Sequence, residues 1–282
     1  VYARPAELDE ALRLIAEPDV RIIAGGTDIF PAAGERPLSG AYIDVTAIEA
    51  LRAIRVTQDG VRIGAAATWT DLIRADLPSA FDALRSAARE VGGVQIQNRG
   101  TIAGNLCNAS PAADGVPPLL ILGAEIEMAS TRGMRRLPLD QFIIGNRLTA
   151  LRKDEVVTAI VAPRPPPAAR SCFLKLGARR YLVISIVMAA VLLDIREGIV
   201  GDARVAVGAC SAAAVRLPDV ERRLLGASAT MGLSDRVQRE DLAGLSPIDD
   251  LRAAADYRRD AALTLIRRAV DACRRDSLRS AA

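Results

Sequence analysis

The chain has 282 residues, half of them apolar and only 3% aromatic, so it can bury two ordinary cores or one large one, built mostly from Ala, Val, Leu and Ile. Its net charge of +3, from 37 basic and 34 acidic residues, is too balanced to imply a nucleic-acid partner. It contains no histidine, which excludes Ser-His-Asp and Cys-His catalysis, histidine metal ligation and a flavin bonded covalently to histidine.

In chain order, Ala6 to Glu17 reads as a helix, with Pro5 at its first turn and Leu8, Ala11, Leu12 and Ile15 on one face. Val20 to Ala24 reads as a buried strand that ends in Gly25-Gly26, and Thr27-Asp28 then caps a short helix. Strands are predicted at Ala41 to Val45, Leu51 to Thr57 and Val61 to Ala65, the last two joined by a turn at Asp59-Gly60. Thr70 to Ala75 and Ser79 to Val91 read as helices. Gly92 to Asp114 is rich in Gly, Asn, Gln and Ser and has almost no apolar period, so it is expected to be a long loop, functional or disordered. A short helix at Pro117 to Leu122 and strands at Ala124 to Ser130 and Val156 to Ala162 follow.

Pro163 to Ala169 holds four prolines and reads as an extended linker, which sets a domain boundary between 1–165 and 171–282. Beyond it, Cys172 to Gly177, Ile184 to Ile195 and Ala203 to Ala209 read as an antiparallel sheet with a turn at Glu197-Gly198. The longest apolar run, Leu182 to Leu193, is too short to span a bilayer and reads as a buried strand. Pro218 to Leu225 and Asp249 to Arg275 read as helical, the latter as one helix or two. Cys107, Cys172, Cys210 and Cys273 are scattered without a C-x-x-C, so spacing gives no metal set and no disulfide framework. With an N-terminus unlike a signal peptide, this leads to an expectation of a cytoplasmic protein.

Two loops carry the chemistry. In Ala24-Gly25-Gly26-Thr27-Asp28 a strand runs into two glycines and a helix start, so several backbone N–H groups converge where the helix dipole favours an anion. A phosphate or pyrophosphate is the natural guest; a tight strand–helix turn is the plain alternative. The second loop, Asn98-Arg99-Gly100-Thr101-Ile102-Ala103-Gly104-Asn105 and on through Cys107-Asn108-Ala109-Ser110-Pro111-Ala112-Ala113-Asp114, offers amides, hydroxyls, glycine N–H groups and one carboxylate.

Together these runs resemble the FAD-binding subunit of the molybdenum hydroxylases, whose loops read A-G-G-T-D or A-G-G-H-S, then T-I-G-G-N followed by N-A-S-P-A-A-D. The resemblance extends from Tyr2-Ala3-Arg4-Pro5 through Phe173-Leu174-Lys175-Leu176-Gly177-Ala178-Arg179-Arg180 to Ala255-Asp256-Tyr257-Arg258-Arg259. It implies an α+β fold: a two-subdomain FAD-binding domain of the type shared with vanillyl-alcohol oxidase-like flavoproteins, plus a small C-terminal domain with an antiparallel sheet and helices. It implies one noncovalent FAD, held at the pyrophosphate by backbone N–H groups of Ala24, Gly25, Gly26, Thr27 and Asp28 and of Thr101, Ile102, Ala103, Gly104 and Asn105. Asn108, Ser110 and Asp114 fall near the ribityl or ribose hydroxyls. Tyr181 either covers the isoalloxazine ring or is a core tyrosine at a strand start. Lys175 either stands near the cofactor or pairs with a carboxylate at the surface. Ala103 replaces the family's usual Gly, and an ordinary φ is expected there, with Gly104 making the close approach.

The function implied is an electron-transfer flavin subunit. Molybdopterin and [2Fe–2S] clusters belong to partner subunits in a dimer of heterotrimers, with no nucleic acid, no membrane span and no catalytic side chain in this chain. Electrons pass to an acceptor such as NAD, oxygen or a quinone. A self-sufficient flavin oxidoreductase and a binding or scaffold protein that has lost FAD are the alternatives.

Overall fold

The computed structural model describes residues 1–281. The chain opens with β1 (Tyr2–Ala3), α1 (Leu8–Ile15), β2 (Val20–Ile23), α2 (Ile29–Ala33) and β3 (Ala41–Asp44). The strands form a parallel sheet in the order β1-β3-β2, and α1 buries Ala11, Leu12 and Ile15 against it. This is the small first subdomain. Because β2 is parallel to its neighbour, its C-terminal end delivers Gly25-Gly26 to an edge where backbone donors are left over.

The second subdomain contains β4 (Ile54–Val56), β5 (Gly60–Gly64), α3 (Trp69–Arg74), α4 (Asp82–Glu90), α5 (Val94–Gln97), α6 (Ile102–Asn108), α7 (Val116–Ile121), β6 (Glu125–Ser130), β7 (Gly133–Pro138), α8 (Leu139–Phe142), a hairpin of β8 (Ile143–Gly145) and β9 (Leu148–Thr149), and β10 (Val156–Pro163). Its five-stranded antiparallel sheet has the order β4-β5-β10-β6-β7. The C-terminal part has β11 (Arg170–Leu176), β12 (Val187–Arg196), β13 (Ile199–Gly208) and β14 (Val215–Arg216) in one antiparallel sheet, followed by α9 (Pro218–Leu224) and the long α10 (Ala255–Ala281). The tail is therefore one helix, beginning six residues later than the predicted start.

The third sheet explains the unbroken apolar run of β12. Met188, Ala190 and Leu192 join the core that contains Trp69 and Leu84, whereas Val187, Ala189, Val191 and Leu193 pack in the core of α9 and α10. A sheet buried on both faces has no solvent side to carry polar residues. The first of these cores crosses the proline linker, and Ser171 adds a polar seam: its Oγ accepts from the Ala83 N–H at 2.9 Å and donates to the Ala80 carbonyl at 2.7 Å.

Three expectations need correction. The predicted strand at Leu51 to Thr57 begins only at Ile54, because Glu49–Leu51 forms a 3-10 turn that buries Leu51 in the first subdomain's core. The segment Gly92 to Asp114 is not without regular structure, since it holds α5 and α6. Helix α6 is seven residues long and buries Ile102, Ala103 and Leu106, a stripe too short to register as a period. Strand β7 was not predicted: it is an exposed edge strand whose arginines Arg135 and Arg136 reach Glu155 and Glu127, so its polar sequence hides its role.

Candidate functional site

Between the first subdomain, the second and the C-terminal sheet lies a cleft of about 810 Å³, within the usual range of cofactor pockets. The first loop forms one wall: Ala24, Gly25, Gly26, Thr27, Asp28 and Ile29 all line it. Among the described residues, the backbone N–H groups of Gly25, Gly26, Thr27, Asp28 and Ile29 donate to no protein acceptor, while Phe30 N–H already bonds the Gly26 carbonyl at 3.1 Å. Five successive free donors on a cleft wall are an anion seat.

The glycines have separate reasons. Gly26 has φ +71°, and a Cβ there would also meet the Phe30 ring at 2.5 Å. At Gly25 a Cβ would lie 1.9 Å from the Arg99 carbonyl oxygen and 2.9 Å from Gly100 Cα, so this glycine exists because the two loops touch backbone to backbone. Trp69, 1% exposed, sits behind the second loop and needs Gly115 beside it, since a Cβ there would approach its ring at 2.6 Å.

The second loop differs from the sequence-based expectation. Thr101 caps α6, its Oγ accepting from Gly104 N–H at 3.2 Å, a contact worth about 1 kcal/mol. Ile102 N–H bonds the Ala67 carbonyl, Ala103 N–H the Ala65 carbonyl, and Asn105 N–H the Thr101 carbonyl. Those donors are spent holding the loop, so among the described residues only the Thr101 N–H of this run stays without an acceptor, and the N–H row comes mainly from the first loop. Thr101, Ala103, Gly104 and Asn105 still line the cleft, but Ile102 is fully buried and faces the core. Ala103 has ordinary helical backbone. Asn105 Oδ1 is buried without a hydrogen-bond donor, an acceptor left over at the cleft.

Asn108, Ser110 and Asp114 line the far side. Asn108 Nδ2 donates to Asp28 Oδ1 at 2.8 Å, which ties the second loop to the first. Asp114 accepts from Lys175 Nζ at 2.9 Å and from Ser185 Oγ at 3.2 Å, and Lys175 also reaches the Glu90 carbonyl at 3.4 Å. Burial pushes the Asp114 carboxyl above its ordinary value, against the opposing pull of Lys175 and Ser185. Lys175 therefore does pair with a carboxylate, but in the interior, with its side chain 6% exposed and outside the cleft lining. Tyr181 is 56% exposed, also off the lining, with Arg180 over its ring. It is neither a core tyrosine nor a cleft wall; Val183 and Ile184 of the same loop line the cleft instead.

Sequence reading also missed Arg147, Arg152 and Trp69, which line the cleft. The signal for the first was present: Gly145-Asn146 between Ile143-Ile144 and Leu148-Thr149 is a hairpin pattern. No nucleophile emerges. Burial raises the Cys107 thiol to about 12, so it stays protonated at neutral pH. Among the described residues no group of three His, Cys, Asp or Glu side chains can hold a metal, and no helix is long and apolar enough to cross a membrane. The arrangement can bind a dianion and a polar chain beside it; redox chemistry has to come from a bound cofactor.

Residues 1–165 match the family described as the FAD binding domain in molybdopterin dehydrogenase, and residues 173–273 match the CO dehydrogenase flavoprotein C-terminal domain. The xanthine dehydrogenase FAD-binding subunit of Escherichia coli O157:H7 is 30% identical over 262 residues, which cover 91% of this chain and 90% of that one. The nicotinate dehydrogenase FAD-subunit of Eubacterium barkeri is 34% identical over 239 residues, covering 82% and 81%. In the solved carbon monoxide dehydrogenase of Hydrogenophaga pseudoflava, one chain superposes with a TM-score of 0.89 at 28% identity over 96% of each chain.

Proposed function

The chain belongs to the family of FAD-binding domains in molybdopterin dehydrogenases, and from that premise we propose that it is the FAD-carrying electron-transfer subunit of a molybdenum hydroxylase complex. Partner subunits carry the molybdopterin and the iron–sulfur clusters. The observation that carries this reading is the row of free N–H groups from Gly25 to Ile29 on a cleft of cofactor size. It fits a flavin dinucleotide: the row matches a diphosphate, and Asn105 Oδ1 offers the acceptor that a sugar hydroxyl or an amine needs. Bound FAD supplies one- and two-electron transfer, which no side chain here provides.

The division of labour follows the geometry. Gly25 to Ile29 hold the diphosphate, with Ala24, Thr101, Ala103 and Gly104 shaping the wall beside it. Ser110 and Asp114 offer oxygens to the ribityl or ribose hydroxyls, and Val183 and Ile184 keep water off the cleft. Ile102 and Lys175 act from behind: Ile102 anchors α6 in the core and Lys175 fixes Asp114. Tyr181 is exposed outside the cleft lining and takes no part in holding the cofactor in this reading. Residues 1–165 form the FAD-binding domain and 171–282 the C-terminal domain. The complex is a cytoplasmic dimer of heterotrimers.

The test is anaerobic. The isolated chain is expected to carry FAD yet not be bleached by purines, aldehydes or N-heterocycles, whereas the assembled complex is bleached by its substrate. Rapid bleaching of the isolated chain would mean an oxidoreductase in its own right; a colourless chain that takes up no FAD would mean a scaffold.

A further inference from the structure

The first loop offers dipoles but no full positive charge to a diphosphate, and its one ionised side chain, Asp28, has the wrong sign. Four cations line the cleft: Arg21, Arg147, Arg152 and Lys153. Arg21 lies over the Tyr42 ring and donates to the Ser39 carbonyl, and Arg152 is 3.8 Å from Glu155. Lys153 has no such link to the first loop. Arg147 reaches it through a single amide: its guanidinium donates to Asn108 Oδ1, and Asn108 Nδ2 donates to Asp28 Oδ1 at 2.8 Å. Among the described residues its Nε and Nη2 have no protein acceptor, both of its side-chain bonds running from Nη1, so half of the guanidinium fork is open.

The backbone around it is equally specific. Arg147 has φ +59° and Ala109 has φ +45°, and the Arg147 N–H bonds the Ala109 carbonyl at 2.8 Å. Ala109 is the left-handed C-cap of α6 and Arg147 lies in the turn between β8 and β9, and the bond that joins these two turns holds Arg147 at the cleft. The Asn108 amide spends one N–H on Asp28 and one lone pair on Arg147, which fixes its orientation between them.

Resting on the reading of the cleft as a FAD site, we propose that Arg147 is the counter-charge of the FAD diphosphate, with Asn108 as the positioning residue that tethers Arg147 and holds Asp28 by a hydrogen bond. The guanidinium supplies the monopole that the N–H row of Gly25 to Ile29 lacks, and its open Nε and Nη2 would be the donors left for phosphate oxygens. The merely structural role, a cap on the C-terminal carbonyl of α6, predicts a different salt response.

The full-length chain, stripped of flavin, is titrated with FAD by fluorescence quenching at several KCl concentrations. Arg147→Gln is expected to weaken FAD binding by roughly tenfold or more and to flatten its salt dependence. Arg147→Lys keeps the charge and should keep the salt dependence. Arg147→Asn, which tolerates the left-handed backbone, serves as the charge-free variant if Gln disturbs the turn. Unchanged affinity in the charge-free variant, or a loss that keeps the wild-type salt dependence, overturns the assignment. If the wild-type chain takes up no FAD at any salt concentration, the cleft reading itself fails, and that outcome is distinct from the failure of Arg147.

Discussion

Substituting Gly25 by alanine tests whether the two loops are one unit. The added Cβ would lie 1.9 Å from the Arg99 carbonyl oxygen, 2.5 Å from its carbon and 2.9 Å from Gly100 Cα. All three are backbone atoms, so no rotamer change relieves the clash and the loops have to part by more than about 1 Å. Overpacking of this kind costs about 2 kcal/mol, which lowers the melting temperature of a chain this size by about 4–8 °C. The same displacement moves the Gly25 to Ile29 donor row off its position, so the purified variant should also lose most of its FAD. Gly34→Ala is the control. Gly34 has φ +61° and ψ −127°, a conformation open mainly to glycine, but nothing within 4 Å of its missing Cβ, so only a backbone term of about 1–3 kcal/mol applies and flavin content should be unchanged. Thermal melts and flavin-to-protein absorbance ratios read both effects. Gly25→Ala with wild-type flavin content and an unshifted melt would refute the idea that loop contact sets the binding wall.

Three other outcomes follow from the same geometry. Acid precipitation should release FAD into the supernatant, since no histidine is present to bond it; flavin remaining in the pellet would contradict this. Lys175→Met strips a buried pair of its cation and should cost about 3–5 kcal/mol at neutral pH. Burial already raises the Asp114 carboxyl, and losing Lys175 raises it further, so the native state holds that proton more tightly than the unfolded chain. The deficit should therefore shrink from pH 8 to pH 5; a pH-independent deficit would count against it. Glu155 behaves in the opposite way: hydrogen bonds from Arg135 hold its carboxyl below the ordinary value. Its contribution is complete above the unfolded carboxylate range and is lost as pH falls on through the lower folded value, so Glu155→Gln should flatten the acid side of the melting-temperature profile.

The local chemistry of the chain was legible in its sequence. Gly25-Gly26 after an apolar strand marks a turn with free backbone donors, the missing histidine removes whole classes of catalysis, and the run from Thr101 to Asp114 identifies the family once it is paired with the first loop. Unbroken apolar runs found β10 and β12, which are buried along most of their length, and apolar periodicity found α1 and α4, each of which buries one face. It failed for α6 and β7, where a seven-residue helix buries three side chains and an edge strand is held by arginines reaching across to Glu127 and Glu155.

What the sequence determined by itself was the inventory: which groups can bind an anion, and which chemistry is impossible. Only the tertiary structure decided how those groups are spent. The N–H groups of the second loop look as free as those of the first until Ala65, Ala67 and Thr101 take them. Lys175 is one of only two lysines in the chain, yet only the packing of β11 beside the 110–114 turn directs it to Asp114. The link from Arg147 through Asn108 to Asp28 joins three segments up to about 120 residues apart, and no spacing rule encodes it. A hydrogen bond depends on where both partners end up in space, and for partners distant in sequence that position is fixed only when the cores behind them pack.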